Sequence, residues 1–397
     1  MRVLHLTSKE DALEELKRVG VDPYGINAML PKMQHCVLAL EGLSCKVANI
    51  MKQEMLSLGG DVAVARGTVD CSIETTDAVV MGTAKQIERF IKKIEQQPFS
   101  MNDIARQIQD SIENTSRKSF LIKTPEREIS IGERTLVMGV VNMTPDSFSD
   151  GGQYGSLEEA AVCARRMEEE GADIIDVGGE STRPGSESVS SSEELQRVIP
   201  LVKALKAILH VPISVDTRKA SVAKAALDEG AEIINDISAL RNDVKMGKLV
   251  ASSGVPIVLM HMRGTPKTMQ QNDLYYRSLC GDIINFLRER IDAAQLLGIK
   301  KENIIIDPGI GFGKTAGDNL RLIKYLEEFR TIGRPILIGA SRKGFIGLVA
   351  GGEPHERVEG TAATVAAAIM HGAHIIRVHD VAAMKKVAAM TDAIVRS

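Results

Sequence analysis

From Thr135 onward, short apolar runs alternate with longer amphipathic stretches. The runs fall at residues 136–141, 173–177, 212–215, 232–234, 256–260, 303–306, 335–338 and 374–378. They are too short for helices and too continuously apolar to keep one face in water, so each predicts a strand covered on both sides. Helical periodicity fills the intervals, at 157–170, 193–209, 219–229, 275–297 and 360–371 among others, and several of these stretches stop at a glycine. Strand and helix in alternation imply parallel crossovers, and eight such units in roughly 260 residues have the size of a (β/α)8 TIM barrel. A doubly wound open sheet is the alternative that the same pattern allows.

Upstream the pattern is different and looser. Residues 1–97 predict a small separate α/β domain of unknown role, with an apolar run at 36–40, a helix over 43–58 stopped by Gly59-Gly60, strands at 62–65 and 78–81, and a helix over 85–94. Residues 98–128 read as a helical linker, with a polar helix over 101–112. Residues 120–131, followed by the turn Gly132-Glu133, suggest a hairpin placed to close the bottom of the barrel. The barrel domain itself is assigned to 129–397. His5 and His35 are isolated, and no catalytic constellation is visible in the first domain; assembly or packing is its default role.

Composition narrows the partners. Forty-nine basic and 52 acidic side chains leave a formal net charge of -3, so no polyanion-binding surface is indicated; Trp is absent and aromatics are 3%, which argues against a base-stacking platform. Nucleic acid is therefore excluded as the main partner. Cys36, Cys45, Cys71, Cys163 and Cys280 are scattered without a CxxC pair, which suits free thiols in a reducing compartment better than a disulfide framework or a zinc site. No apolar segment approaches the roughly 18 to 20 residues that cross a bilayer, and the start lacks the basic and apolar signature of a secretory leader. A cytoplasmic protein with no membrane partner is expected.

A barrel of this kind carries its chemistry at the carboxyl ends of its strands. The first predicted strand ends abruptly in Asn142, followed by Thr144, Pro145, Asp146, Ser147, Ser149, Asp150, Gly151 and Gly152, too many turn formers for a strand and too many hydrogen-bonding groups for a plain connector. The second end carries Asp176, Glu180, Thr182 and Arg183; the third Asp216; the fourth Asn235 and Asp236; the fifth His261 and Arg263. The sixth carries Asp307 and Lys314, the seventh Ser341, Arg342 and Lys343, and the eighth Arg377, His379 and Asp380. Loops are generally polar, but eight polar ends in eight are not expected from loop composition alone. Asp236 and Asp380 are the weakest members, since Asp after a strand often caps a helix.

These side chains fall into two groups. Asp216, Asn235, Asp307 and Lys343 offer carboxylates, an amide and an ammonium, which suit a flat heterocycle with adjacent donors and acceptors. Arg183, Arg342, Arg377 and His379 offer cationic donors suited to diphosphate oxygens. Asn142 suits a Mg²⁺ shared with a diphosphate, because that ion is usually held by one or two protein oxygens plus phosphate and water. A heterocycle beside a diphosphate points to group transfer with diphosphate leaving. Two other motifs fail: a P-loop ending in GKT needs Gly where Pro308 stands, and G-x-G-x-x-G needs Gly where Lys314 stands. Ser341 has no His and Asp in the order of an acylating triad.

The stretches VVNMTPDSFSDGG, GGESTRPGS, SVDTRKA, NDIS, MHMRGTPKTMQ, DPGIGFGKT, SRKGFIG and RVHD occur in one order, and over 129–397 the chain closely resembles the dihydropteroate synthase family. The resemblance implies that 4-aminobenzoate displaces diphosphate from (7,8-dihydropterin-6-yl)methyl diphosphate, giving 7,8-dihydropteroate in folate biosynthesis, with Mg²⁺ as cofactor. It implies that Asp216, Asn235, Asp307 and Lys343 hold the pterin, with Phe312 beside it. Asn142, Arg377 and His379 would hold the diphosphate, with Asn142 also a metal ligand. Phe148, Asp150, Thr182, Arg183, Pro184 and Ser341 would form the 4-aminobenzoate pocket, and Asp216, Asp307, Lys343, Arg377 and His379 would act in catalysis. A homodimer and sensitivity to sulfonamides are further implications. The rival readings are a methyltetrahydrofolate–corrinoid methyltransferase, which has no use for the diphosphate set, and a non-catalytic pterin-binding paralogue. The amino-terminal extension departs from the simplest family pattern.

Overall fold

The computed structural model describes residues 1–6, 8–143, 157–181, 185–269 and 274–396. They divide into two compact units, Met1–Ile112 and Glu113–Ser397. In the first, strands β1 (His35–Ser44), β2 (Asp61–Val64) and β3 (Thr75–Thr83) form an antiparallel sheet in the order β1-β3-β2. Alternate residues of β3 are buried, as expected of a sheet with one covered face. The cover comes from helices Cys45–Leu56, Ala84–Ile94 and Met101–Ser116, whose Val47, Met51, Met55, Ile87, Phe90, Met101 and Ile108 form one core with Val62 and Val80. Thr83 starts the second of these helices with a capping box to Gln86, satisfying two amide groups that a helix start otherwise leaves unpaired. Helices Lys9–Val19 and Pro23–Met33 pack on each other through Ala12, Leu16 and Leu30.

The second unit begins with a hairpin of β4 (Phe120–Lys123) and β5 (Glu128–Ile131), then holds eight parallel strands: β6 (Leu136–Asn142), β7 (Ile174–Gly178), β8 (Ile213–Asp216), β9 (Ile233–Asp236), β10 (Ile257–Met260), β11 (Ile304–Asp307), β12 (Leu337–Ile338) and β13 (Ile375–Val378). Their hydrogen-bonded order runs β11-β10-β9-β8-β7-β6-β13-β12, and a parallel bridge from Ile306 to Ile336 joins the two ends. Helices lie between the strands in sequence, so this is the expected (β/α)8 barrel and not an open sheet.

The period of two along each strand sorts residues onto two faces. Val137, Val141, Ile175, Val177, Ile213, Val215, Ile376 and Val378 face one group of helices. Ile234, Ile257, Leu259, Ile304, Ile306, Ile336 and Ile338 face the other. The alternate positions line the interior, where Met138, Ile174, Ile233, Val258, Ile305, Leu337 and Ile375 make an apolar lower layer with Ile122 and Ile131 of the hairpin. The hairpin therefore closes the amino-terminal end of the barrel. It is held there by Arg127, which pairs with the carboxylate of Glu232 at 2.8 Å, and by the hydroxyl of Thr124, which donates to the same group at 2.7 Å. On five of the eight strands the next interior position along is polar: Asp176, Ser214, Asn235, Asp307 and Arg377. Among the described residues, no helix is long and apolar enough to cross a membrane.

Candidate active site

Because the eight strands are parallel, their carboxyl ends share one rim, and the alternation that sends isoleucines outward aims the polar residues inward. Asn142, Asp216, Asn235, Asp307 and Arg377 stand on or at the ends of β6, β8, β9, β11 and β13, while Ser341, Lys343 and His379 follow β12 and β13. Phe148, Asp150, Thr182, Arg183 and Pro184 lie outside the described residues.

At the centre is a residue that sequence reading noted at a strand end without giving it a task. Asp176 is fully buried. Its Oδ2 accepts from Arg377 Nε at 2.6 Å and from Asn235 Nδ2 at 3.2 Å, while Oδ1 has no hydrogen-bond partner among the described residues. The other arm of Arg377 donates to Asp216 Oδ2 at 3.0 Å, so one guanidinium joins two carboxylates across the barrel. The available signal was a charged residue in an inward register within the apolar run 174–177.

Burial dominates the electrostatics. It pushes the Asp216 carboxyl up to about 7; Arg377 opposes the rise and the negative charges of Asp176, Glu194 and Asp236 reinforce it. Burial likewise raises Asp307, against the nearby Lys343 ammonium and the Gly309 amide, which donates to Asp307 Oδ1 at 2.7 Å. Lys343 is brought down to about 8 by burial, with Asp307 pulling the other way. Burial also works against the charge of Arg377, but Asp176 and Asp216 outweigh it and hold that group above its ordinary range. Two acids whose pKa burial raises thus sit beside a lysine whose pKa burial lowers, the arrangement expected of a functional cleft.

Lys343 Nζ donates to the Ile310 carbonyl and lies 4.6 Å from the centre of the Phe312 ring, a cation–π contact. Phe312 in turn packs on an apolar shelf of Ile237, Met260, Met262 and Met269. Ser341 is buried against His379: its Oγ accepts from the His379 amide at 3.2 Å and lies 3.0 Å from Nδ1. Arg342 adopts a left-handed backbone with φ 58°, and its guanidinium grips Asp380 through Nε at 3.0 Å, while its amide donates to Thr361. Such strain in a non-glycine residue is common at functional sites. Asp380 thus pairs with Arg342, and its side chain makes no helix-cap bond. Asp236 anchors a turn, accepting from the amides of Ser238 and Leu240, each at 2.8 Å. Glu180 ties the loop after β7 to the loop after β8 through Arg218 at 2.9 Å and Lys219 at 3.1 Å.

A Cβ added at Gly178 would lie 3.0 Å from Asn142 Oδ1, so the glycine lets the backbone come close to that oxygen. Among the described residues, no cluster of three His, Cys, Asp or Glu side chains suits a metal by itself. A single amide oxygen fits a Mg²⁺ that takes its remaining ligands from a diphosphate and water.

A closed (β/α)8 barrel with acids, an amide and cations gathered at its carboxyl rim defines an enzyme that handles a small polar heterocycle, and the family described as Pterin binding enzyme matches residues 138–379. The dihydropteroate synthase of Clostridium beijerinckii is 48% identical over 276 residues, covering 69% of this chain and 100% of that one. A crystal structure of the Yersinia pestis dihydropteroate synthase in a sulfonamide drug complex covers 70% of this chain and 100% of its own, with 41% identity and a TM-score of 0.67. The chain belongs to the dihydropteroate synthase family, whose members are transferases. These relatives are synthases by name, which favours the expected reading over a methyltransferase or a non-catalytic paralogue. A probable bifunctional folylpolyglutamate synthase/dihydropteroate synthase of Halobacterium salinarum is 40% identical over 374 residues, 94% of this chain and 44% of that one, so that match extends into the first unit.

Proposed function

We propose that the polar rim is where this transferase condenses (7,8-dihydropterin-6-yl)methyl diphosphate with 4-aminobenzoate, releasing diphosphate and 7,8-dihydropteroate. The observation that carries the assignment of roles is the set of buried Asn235 and Asp307 with half-buried Asp216, Lys343 and Arg377, in which carboxylates and cations are kept close together. In this reading Asp216 and Asn235 on one side and Asp307 and Lys343 on the other hold the pterin edge, with Phe312 against its face. Arg377, His379 and Asn142 hold the diphosphate, and Ser341, Phe148, Asp150, Thr182, Arg183 and Pro184 surround the arylamine.

The bond from the exocyclic methylene to diphosphate breaks, and the electron-rich dihydropterin carries the positive charge that develops. Asp216 and Asp307 stabilise that charge, while Arg377 and His379 stabilise the departing anion. The arylamine nitrogen then bonds to the methylene and sheds a proton; because it attacks a cation, it needs no strong base. Mg²⁺, held through Asn142, would neutralise charge on the diphosphate.

Replacing Asp216 by Asn tests the assignment, with turnover expected to fall by ~10²-fold, the usual scale for one preorganised electrostatic group. Diphosphate release measured with both substrates present reads this directly, and near-parental turnover refutes the role. The reading also takes the protein as a cytoplasmic homodimer and a sulfonamide target. Light scattering and inhibition by a sulfonamide check the assembly and the arylamine pocket.

A further inference from the structure

Lys314 is a basic residue that the reaction described above does not use, yet it is only 2% exposed, and burial brings its pKa down to about 7 with Asp307 pulling the other way. Its Nζ is surrounded by three acceptors, His261 Nδ1 at 2.9 Å, the Phe312 carbonyl at 3.1 Å and the His261 carbonyl at 3.4 Å. An ammonium has three hydrogens and no lone pair, so the match is complete when His261 is neutral and offers Nδ1 as acceptor. His261 meets that condition: burial first, and the neighbouring Lys314, Arg241 and Arg263 charges after it, hold its pKa well below the usual value.

The contact joins segments that are distant in sequence. His261 follows β10, and its ring is fixed edge-on against Phe286 at 4.8 Å. Lys314 closes the glycine-rich loop after β11. That loop lies so close to the end of β10 that a Cβ on Gly309 would come within 1.9 Å of the His261 carbonyl oxygen, and one on Gly313 within 2.6 Å of Arg263 Cβ. Tyr276 donates its hydroxyl to the Gly313 carbonyl at 2.9 Å. Between these attachments the loop exposes two features toward the rim. The first is the Ile310 carbonyl, which receives Lys343; the second is the Phe312 ring beneath the same ammonium.

We propose that Lys314 is a positioning residue for heterocycle binding: by tying the Phe312 carbonyl to His261 it fixes the Ile310–Phe312 loop, and through that loop the ammonium of Lys343 beside Asp307. It acts through Phe312 and Lys343 and does not itself touch the substrate. The inference rests on the reading that Asp307, Lys343 and Phe312 hold the pterin.

The test uses the full-length chain with Lys314→Met, which keeps the length of the stem and removes the donors. Three quantities are measured: affinity for 6-hydroxymethyl-7,8-dihydropterin by calorimetry, KM for 4-aminobenzoate, and folding by circular dichroism. The expected result is a loss of pterin affinity of about tenfold or more, the scale of hydrogen bonds to a charged group, with KM for 4-aminobenzoate changed less than about twofold. A folded variant with parental pterin affinity overturns the inference, as does one in which both substrates weaken equally, since that marks general loosening. Should Lys314→Met fail to fold, Lys314→Gln keeps an amide donor, and the same selective loss, smaller in size, is required of it. Asp307→Asn is the control. If it weakens pterin binding while the Lys314 variants do not, only this inference fails; if it leaves pterin binding unchanged, the underlying reading fails.

Discussion

Asparagine at position 176 keeps the shape of Asp176 and removes its charge, leaving Arg377 with Asp216 as its remaining carboxylate. Hydrogen bonds to charged groups contribute about 1.5–3 kcal/mol, and breaking a buried ion pair costs about 3–5 kcal/mol when the survivor is stranded. Arg377 is not stranded, because its second arm still reaches Asp216 at 3.0 Å. Asn235 also retains an acceptor, since an amide oxygen can take the place of Asp176 Oδ2. The loss therefore belongs at the low end, about 2–3 kcal/mol, or roughly 30- to 150-fold if it is expressed in the rate-limiting step. It should appear in kcat if, as proposed, the guanidinium takes the departing diphosphate, and diphosphate release at saturating concentrations of both substrates is the assay. A second readout follows from charge. Asp176 is one of the groups that raise the Asp216 pKa, so the variant's Asp216 should ionise at lower pH than the parent's. A folded Asp176→Asn enzyme within about threefold of parental turnover, the range of an ordinary surface substitution, would refute the claim that Asp176 sets the position and charge of Arg377.

Two further substitutions probe the scaffold. Ile122→Ala in the hairpin removes a fully buried side chain from the lower layer and should cost about 2–4 kcal/mol in urea unfolding, while the folded fraction keeps its parental kcat. His374 is lowered to about 4, chiefly by burial, and its Nδ1 accepts from the Ile336 amide at 3.1 Å. The folded state therefore holds fewer protons than the unfolded chain, and the stability this residue contributes is full above about pH 6.5, the ordinary histidine pKa, and lost as pH falls toward 4. His374→Asn should flatten that part of the stability profile, and an unchanged acid limb in denaturant titrations would count against the assignment.

The barrel was legible because strands covered on both faces leave an unmistakable mark: all eight apolar runs became strands, with ends differing by a residue or two. The rim was legible for a related reason, since Asn142, Asp216, Asn235 and Asp307 each come immediately after an apolar run. Contacts between distant segments were not legible. Nothing local to Arg342 reveals that it will grip Asp380, and nothing near His261 announces Lys314, 53 positions away. Asp176 was seen but not understood, because a lone acid in an apolar run takes its meaning from Arg377, 201 positions on. In the first unit the helix assigned to 43–58 begins at Cys45, since Leu43 and Ser44 are still paired with Thr76 and Thr75 and the Ser44 hydroxyl accepts from the Val47 amide. Helix Pro23–Met33 was missed; the proline within it, Pro31, conceals its periodicity.

The hairpin has a practical bearing on protein engineering. Trimming the chain to the start of β6, where the repeating pattern begins, would uncork the vessel: Ile122 and Ile131 would be gone, seven interior side chains would meet water from below, and Glu232 would lose its guanidinium. A minimal barrel fragment must therefore carry the stopper with it and begin no later than Phe120, whereas fusions and tags belong ahead of that residue, at the end of the barrel opposite the polar rim.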